Sequence, residues 1–138
     1  MSYYKAFNPD LTYRRFKFEI GKTYIAEGTI EMQKNGFHCC EQALDCLVYY
    51  ALPLRLCEVT IGDESITEGD KTVARQITIV REIVGEEFDH LLTGCIRRAV
   101  STAWYKGGKI HRDIQSAIIW DNGREDWYTD GKLIETKN

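Results

Sequence analysis

The 138-residue sequence has little proline and no long apolar run. No stretch approaches the roughly 18 apolar residues that a membrane-spanning helix needs, and residues 1–7 lack the apolar core of a secretion signal. With two prolines, no polar low-complexity segment and 43% hydrophobic residues, the composition is that of an ordered globular protein. These absences predict a cytoplasmic protein without a membrane partner.

A strong excess of charge of either sign is also missing. The formal net charge is −3, from 18 basic and 21 acidic residues, so the chain offers no broad basic surface for a nucleic-acid backbone. A local basic cluster at Arg14, Arg15 and Lys17 suits an anion, and the polar face of a strand explains it equally well. The balance favours a protein or small-molecule partner over direct nucleic-acid binding.

The five cysteines contain no Cys-x-x-Cys spacing, which removes the usual signature of a zinc site. Their odd number and the adjacency of Cys39 and Cys40 argue against a disulfide framework and favour buried, reduced thiols. His38 beside these cysteines is compatible with a nucleophile pair, a metal cluster or a structural role. Since no partner acid is identifiable, we expect the structural role and no metal.

Two segments have the apolar spacing of amphipathic helices. Apolar side chains recur every three or four positions in residues 40–51 and again in residues 86–100, where acidic residues occupy the first turn and basic residues the last. Each apolar stripe needs a sheet to cover. The sequence therefore predicts an α+β fold, in which a mixed or antiparallel sheet is covered by two helices.

Strand-like segments lie before and between these helices. Residues 3–7 and 56–61 are short β-prone runs, and residues 73–83 form the longest one, rich in β-branched side chains. That length favours a central strand.

The last third of the chain contains a short internal repeat. Trp104-Tyr105 and Trp127-Tyr128 each begin a Trp-Tyr-x-x-Gly-Lys segment, 23 residues apart. Between them, Asn122-Gly123 is a strong hairpin signal. We expect a C-terminal β-meander of two hairpin-like copies, with an α+β domain over residues 1–100 and the meander over residues 101–138.

Two groups of side chains are candidate binding surfaces. The acidic loop residues could hold a cation or present negative charge to a basic partner, and they are equally compatible with a solvated loop: Asp63, Glu64, Glu68 and Asp70. The aromatic residues of the tail could form a recognition surface, or the core of the meander: Trp104, Tyr105, Trp120, Trp127 and Tyr128.

The first hundred residues resemble an uncharacterised phage and prophage domain that often precedes pentapeptide repeats. The similarity spans about residues 3 to 100 and lies in these motifs: Tyr4-Lys5-Ala6-Phe7, Gly21-Lys22-Thr23-Tyr24, Asn35-Gly36-Phe37-His38, Cys57-Glu58-Val59, Gly69-Asp70-Lys71 and Val80-Arg81-Glu82-Ile83. The tail resembles MORN-like Trp-Tyr-Gly-Lys hairpin repeats. These resemblances imply a phage or mobile-element origin, and pentapeptide repeats are absent here.

A second resemblance is to the ADP-ribosyltransferase-like fold. In that fold, a first strand ends in a basic residue, a Gly-aromatic strand leads into a helix, and a further strand follows. The corresponding segments here are residues 4–7, 36–51 and 56–59. The resemblance implies NAD as cofactor and a cleft lined by Lys5, Tyr24 and His38. Lys5 stands where that family has arginine or histidine, and no later glutamate is placed.

These observations favour a non-catalytic protein over an enzyme. We expect this protein to have no catalytic residues and no cofactor. We expect a phage or mobile-element accessory protein that binds a host protein, such as a component of a defence system, in the manner of an anti-CRISPR inhibitor. One alternative is an NAD-dependent, ADP-ribosyltransferase-like enzyme that uses Lys5, Tyr24 and His38. The other is a structural or assembly protein that forms homo-oligomers.

Overall fold

The computed structural model describes residues 2–138, and they form a mostly β protein. Strands account for 49% of the structure and helices for 9%. The expected α+β fold with two covering helices is therefore wrong. The chain divides into two compact units, Met1–Val84 and Gly85–Asn138, whereas the sequence placed a boundary after residue 100.

Antiparallel pairs build the first unit. Its strands are β1 (Tyr3–Phe7), β2 (Thr12–Tyr13), β3 (Phe16–Lys17), β4 (Thr23–Ile25), β5 (Phe37–Cys39), β6 (Arg55–Ile61), β7 (Ser65–Glu68), β8 (Lys71–Ala74) and β9 (Gln76–Ile83). Four of them form a sheet in the order β1-β6-β9-β4, and three others form a sheet in the order β5-β8-β7. The β2-β3 pair forms a hairpin.

The core of the first unit follows from period-two alternation. In β9, Ile77 and Ile79 are fully buried, whereas Thr78 between them is only partly buried. The buried members of this core are Phe7, Leu11, Phe18, Cys39, Cys57, Val59, Ile77 and Ile79. Burial of each large apolar side chain stabilises the fold by about 2 kcal/mol. The β-prone runs of the sequence thus correspond to the strands that enclose this core.

The helix expected over residues 40–51 is reduced to a six-residue 3₁₀ helix, Ala43–Val48. Cys40 is extended, because its backbone N–H donates to the Tyr4 carbonyl at 2.8 Å and its carbonyl accepts from the Tyr4 N–H at 2.7 Å. A residue that pairs with a strand cannot also begin an α-helix. The apolar spacing correctly indicated a buried helical face, since Ala43, Cys46 and Leu47 are buried. The helix that carries this face is much shorter than expected.

The second unit contains one short α-helix and a sheet. Its elements are α1 (Gly85–Leu91), β10 (Gly94–Arg97), β11 (Ser101–Lys106), β12 (Lys109–Ile110), β13 (Ile118–Trp120), β14 (Glu125–Thr129) and β15 (Lys132–Lys137). The strands follow the order β10-β11-β13-β14-β15, and β12 pairs with β11. Every pair is antiparallel.

The helix expected over residues 86–100 ends at Leu91. Gly94 has a φ of +147°, a backbone conformation that favours glycine and does not continue a helix. The chain then extends into β10, where Ile96 pairs with Ala103 of β11. The apolar stripe is divided between two elements, with Leu92 and Ile96 buried and Val100 58% exposed.

The two copies of the internal repeat occupy equivalent places. Trp104 and Tyr105 lie in β11 before the turn at 107–108, and Trp127 and Tyr128 lie in β14 before the turn at 130–131. The hairpin predicted at 122–123 joins β13 to β14. Within residues 2–138, no helix has the length and apolar character needed to cross a membrane.

Candidate functional site

A cavity of about 520 Å³ lies within the first unit. Its wall is formed by β1, the end of β2, β5, the 3₁₀ helix with the residues that follow it, and the start of β8. This volume is within the range of small-molecule sites in proteins. Three basic side chains and four tyrosines line it: Lys5, Arg14, Lys71, Tyr4, Tyr13, Tyr49 and Tyr50.

Lys5 lies in the cavity wall and is only 3% exposed. Its Nζ donates a hydrogen bond to the His38 carbonyl oxygen at 2.6 Å and lies 3.9 Å from the centroid of the Tyr13 ring. Within residues 2–138 it forms no ion pair with a carboxylate. Burial disfavours the charged form and lowers the pKa of Lys5 from 10.5 to about 8.

His38 is a buried, neutral histidine beside Lys5. Its Nε2 accepts a hydrogen bond from the Gln33 backbone N–H at 2.7 Å, so the neutral ring carries its proton on Nδ1. Burial, together with charge repulsion from Lys5, Arg14 and Lys71, lowers the pKa of His38 to about 4. In the described part of the chain, Nδ1 is buried without a hydrogen-bond partner, and such a donor favours an acceptor from outside the protein.

Arg14 and Lys71 add two cations to the same wall. The guanidinium of Arg14 donates to the Gln33 carbonyl at 2.8 Å and lies 5.2 Å from the Tyr13 ring centroid. Lys71 Nζ lies 4.6 Å from the Tyr49 ring centroid. Within residues 2–138, no aspartate or glutamate lines the cavity, so the charged side chains of its lining are all basic.

Two thiols near Lys5, those of Cys39 and Cys46, are buried and protonated. Burial raises the pKa of Cys39 to about 12. A hydrogen bond with Cys40, together with burial, raises the pKa of Cys46 well above its ordinary value. A thiol acts as a nucleophile through its thiolate, so these groups lack the activation of a catalytic cysteine. No set of three or more metal-ligating side chains within residues 2–138 is arranged to hold an ion.

The structure brings together two of the three residues proposed for an NAD site. Lys5 and His38 are in contact, whereas Tyr24 lies outside the cavity lining. The Tyr24 ring packs 5.2 Å from that of Phe18, and its hydroxyl accepts from the Glu19 backbone N–H at 2.8 Å. Tyr24 is therefore a partly buried residue that packs against the core.

Sequence reasoning missed the other residues of the lining. Arg14 was noted only as part of a basic cluster, and Tyr13, Tyr49, Tyr50 and Lys71 were not connected with Lys5. A basic residue follows a tyrosine at Tyr4-Lys5 and again at Tyr13-Arg14. This local pattern could have pointed to the cavity, because cations pack on tyrosine rings.

The four acidic loop residues do not form one site. Glu64 pairs with Arg75, with its Oε1 2.6 Å from Arg75 Nε, and Asp70 accepts a hydrogen bond from the Tyr49 hydroxyl. Asp63 and Glu68 are exposed. Glu64 is thus paired with an arginine between β8 and β9, and Asp70 positions a tyrosine of the cavity wall.

The five aromatic residues of the tail lie on both faces of the second sheet. Tyr105 is 7% exposed, and Trp120 donates from Nε1 to Asp126 Oδ2 at 2.9 Å. Trp104 and Trp127 face the other side. Both lie on the face of Ile119, which pairs with Thr102 and with Glu125. The five side chains therefore do not share one face of the sheet, and their role as a binding surface stays a prediction.

The first unit is thus a β-rich domain that contains a basic, tyrosine-lined cavity. Residues 1–91 match the family model of a domain of unknown function (DUF7666), and the chain belongs to this family. Comparisons with curated proteins and with solved structures gave no match.

Proposed function

We propose that the first unit is a binding module for a small anion that carries a planar ring, held in the cavity around Lys5. The observation that carries this proposal is the buried ammonium without a carboxylate partner within residues 2–138. A buried charge is costly unless an opposite charge compensates it. A bound anion would supply that charge.

The other cations support an anion rather than a neutral ligand. Arg14 and Lys71 line the same cavity as Lys5, and no acidic side chain does. A wall of one sign attracts ligands of the opposite sign and raises their local concentration. Two or three cations suit a phosphate or a pair of phosphates better than a single carboxylate.

The tyrosines support a planar ring. The rings of Tyr13 and Tyr50 lie 6.0 Å apart between centroids and are tilted by 38°, and both residues line the cavity. Aromatic rings favour offset or edge contacts with other planar groups. A phosphate joined to a heterocycle, as in a nucleotide, combines both features.

NAD is the member of this class that the resemblance to ADP-ribosyltransferases implies. We propose binding alone, without ADP-ribosyl transfer, because that family completes its NAD site with a glutamate and no acidic residue lines this cavity. The alternative with Lys5, Tyr24 and His38 as catalytic residues would need a different role for Tyr24, which packs against the core.

Calorimetric titration tests the proposal with four ligands: AMP, NAD, inorganic phosphate and adenosine. We expect AMP or NAD to bind more tightly than phosphate or adenosine, since each of the latter lacks one of the two features. Lys5→Met should weaken AMP binding at least tenfold, which corresponds to about 1.4 kcal/mol. Lys22→Met is the matched control, because Lys22 is exposed and pairs with Glu19. Absence of binding by all four, or equal binding of adenosine and AMP, would overturn the proposal.

A second candidate function is the protein-binding module expected from the sequence. It is favoured by β15, an edge strand whose six residues are all exposed, with Leu133 at 55% and Ile134 at 65% exposure. Such edges pair readily with another strand. A phage or mobile-element origin, a MORN-like tail and a host defence partner belong to this candidate and rest on sequence resemblance.

Two measurements test the edge strand. If the partner is a host defence protein, the wild-type gene should protect an infecting phage in a plaque assay, and Ile134→Lys should lose that protection while the protein keeps its fold. If the partner is a second copy, as in a structural or assembly protein, sedimentation should give a dimer that Ile134→Lys dissociates. A monomer without protective effect would exclude both.

A further inference from the structure

We infer that Lys5 forms a reversible covalent imine with phosphorylated aldehydes that enter the cavity. This inference rests on the proposed function, since the cavity must first bind the anion. It assigns to Lys5 a covalent chemistry in addition to charge compensation.

The surroundings of Lys5 suit a nucleophilic amine. An amine attacks a carbonyl only in its neutral form, and a neutral amine can keep the 2.6 Å hydrogen bond to the His38 carbonyl, because that bond uses one N–H and leaves the lone pair free. With a pKa of about 8, about a tenth of Lys5 is neutral at pH 7, compared with less than about a thousandth of an exposed lysine.

The other cations can hold the phosphate while Lys5 reacts. Arg14 and Lys71 line the cavity together with Lys5, and neither forms an ion pair within residues 2–138. A ligand fixed at its phosphate keeps its aldehyde at a high local concentration beside the amine. The rings of Tyr13 and Tyr50 provide the contact surface for a planar aldehyde.

The bond changes balance without an oxidant or reductant. The Nζ lone pair attacks the aldehyde carbon, the C=O π electrons move to oxygen, and a proton passes from nitrogen to oxygen to give a neutral carbinolamine. The hydroxyl then takes a proton and leaves as water while the C=N bond forms, and the resulting iminium loses its nitrogen proton to give the imine. Amine and aldehyde thus give imine and water.

The neighbouring groups leave Lys5 as the reactive nucleophile. Burial raises the pKa of the Cys39 thiol to about 12, so thiolate does not compete near neutral pH. The titratable and charged groups that face Lys5 are the thiols of Cys39, Cys40 and Cys46, the guanidinium of Arg14, the Tyr13 ring and neutral His38.

Pyridoxal 5′-phosphate is the probe, because it combines a phosphate, a planar ring and an aldehyde. The protein is incubated with it at pH 7.5, reduced with borohydride to trap any imine, digested and mapped by mass spectrometry. Pyridoxine 5′-phosphate, which has an alcohol in place of the aldehyde, is titrated in parallel and reports non-covalent binding alone.

Three variants separate the covalent step from binding and folding. Lys5→Arg keeps a cation and cannot form an imine, so it should bind pyridoxine 5′-phosphate and lose the label. Lys5→Met is a second variant, used in case the larger arginine side chain disrupts the fold, and it should also lose the label. Lys22→Met, which changes an exposed lysine, should be labelled as the wild type is.

The expected result is a label on Lys5 at least tenfold faster than on any exposed lysine, with a rate that rises as pH approaches 8. If pyridoxine 5′-phosphate binds but the label is spread evenly over exposed lysines, the imine inference fails and the proposed function stands. If pyridoxine 5′-phosphate does not bind and Lys5 is unlabelled, the imine inference fails, and the proposed function fails with it when AMP and NAD also do not bind. Unchanged labelling of Lys5→Met would also overturn the inference.

Discussion

Lys5 Nζ and the His38 carbonyl oxygen lie 2.6 Å apart and join β1 to β5 at the cavity wall. The donor is a buried amine, and the acceptor belongs to a residue whose own ring is neutral. This contact links strand pairing in the first unit to the charge of its cavity. Two predictions about pH follow from it.

The first prediction concerns Lys5→Met. The pKa of Lys5 is lower in the folded protein, about 8 against 10.5, so the unfolded chain binds the proton more tightly. Holding the charged form at pH 7 therefore costs about 3 kcal/mol, which exceeds the roughly 2 kcal/mol of the lost hydrogen bond and ring contact. We expect the variant to be about 1 kcal/mol more stable than wild type at pH 7.

Urea denaturation at several pH values checks this prediction. Wild-type stability should rise relative to the variant as pH increases from 8 to 10.5, and the advantage of Lys5→Met should disappear. Lys22→Met should show no such convergence, because Lys22 is exposed and paired with Glu19. If the variant is less stable than wild type at pH 7, burial of the charged Lys5 side chain does not destabilise the folded protein.

The second prediction concerns acid unfolding. The pKa of His38 falls from 6.5 to about 4 in the folded protein, first through burial and then through repulsion by Lys5, Arg14 and Lys71. The unfolded chain therefore takes up the proton first as pH falls. The stability that neutral His38 contributes is fully present above pH 6.5 and is lost towards pH 4, by about 3 kcal/mol.

His38→Gln should remove most of this pH dependence, since glutamine can still accept from the Gln33 N–H. The measurement is denaturant unfolding between pH 4 and 7. His90→Gln changes an exposed histidine of the second unit and should retain the wild-type profile. If the two variants behave alike, His38 does not control the acid response.

The third prediction concerns Gly36, which precedes β5. Its φ is +119°, and a Cβ there would lie 2.6 Å from Val73 Cγ2 and 3.1 Å from the Ala74 carbonyl oxygen. Gly36→Ala should therefore cost about 3 kcal/mol, from backbone strain and from the clash with β8. Gly21→Ala is the control, because Gly21 has a φ of +90° and nothing within 4 Å. It should cost only about 1 kcal/mol.

Guanidinium denaturation measures both glycine variants. Since Gly36 fixes the approach of β5 to β8, Gly36→Ala should also weaken ligand binding in the cavity. Equal losses for the two glycines would mean that the contact with Val73 relaxes without cost.

The fourth prediction concerns a buried carboxylate of the second unit. Asp126 is 3% exposed and accepts hydrogen bonds from Trp120 at 2.9 Å, Arg124 at 3.1 Å and Thr136 at 2.8 Å. Burial raises the pKa of Asp126, but these three donors outweigh it and hold the pKa below its ordinary value. Asp126→Asn should destabilise the second unit by about 2 kcal/mol.

Tryptophan fluorescence during urea unfolding follows this change, because Trp120 contacts the substituted side chain. Glu135→Gln on the exposed strand β15 should leave the transition within about 0.5 kcal/mol of wild type. A neutral effect of Asp126→Asn would show that the amide satisfies the same three donors.

The strands were the predictable part of this fold. The runs at 3–7 and 56–61 became β1 and β6, and the run at 73–83 became the last two residues of β8 and all of β9, because alternation and β-branched side chains are local properties. The helices were not predictable, because the decisive contacts are distant in sequence. Cys40 is extended through its pairing with Tyr4, and β10 through its pairing with β11.

The cavity was only partly predictable for the same reason. Lys5 and His38 were proposed together through a resemblance, but nothing local relates them to Lys71. Lys71 reaches the cavity because β8 pairs with β5, with His38 opposite Val73. Arg14 arrives through the β2-β3 hairpin. Such proximity depends on strand pairing, which periodicity does not encode.

All the side chains that line the cavity come from residues 4–71. A recombination event that replaced everything after Val84 would therefore keep each of these groups in the inherited segment. Evolution could vary the downstream hairpins, or exchange them for another module, while the ligand preference passed unchanged to the descendant protein.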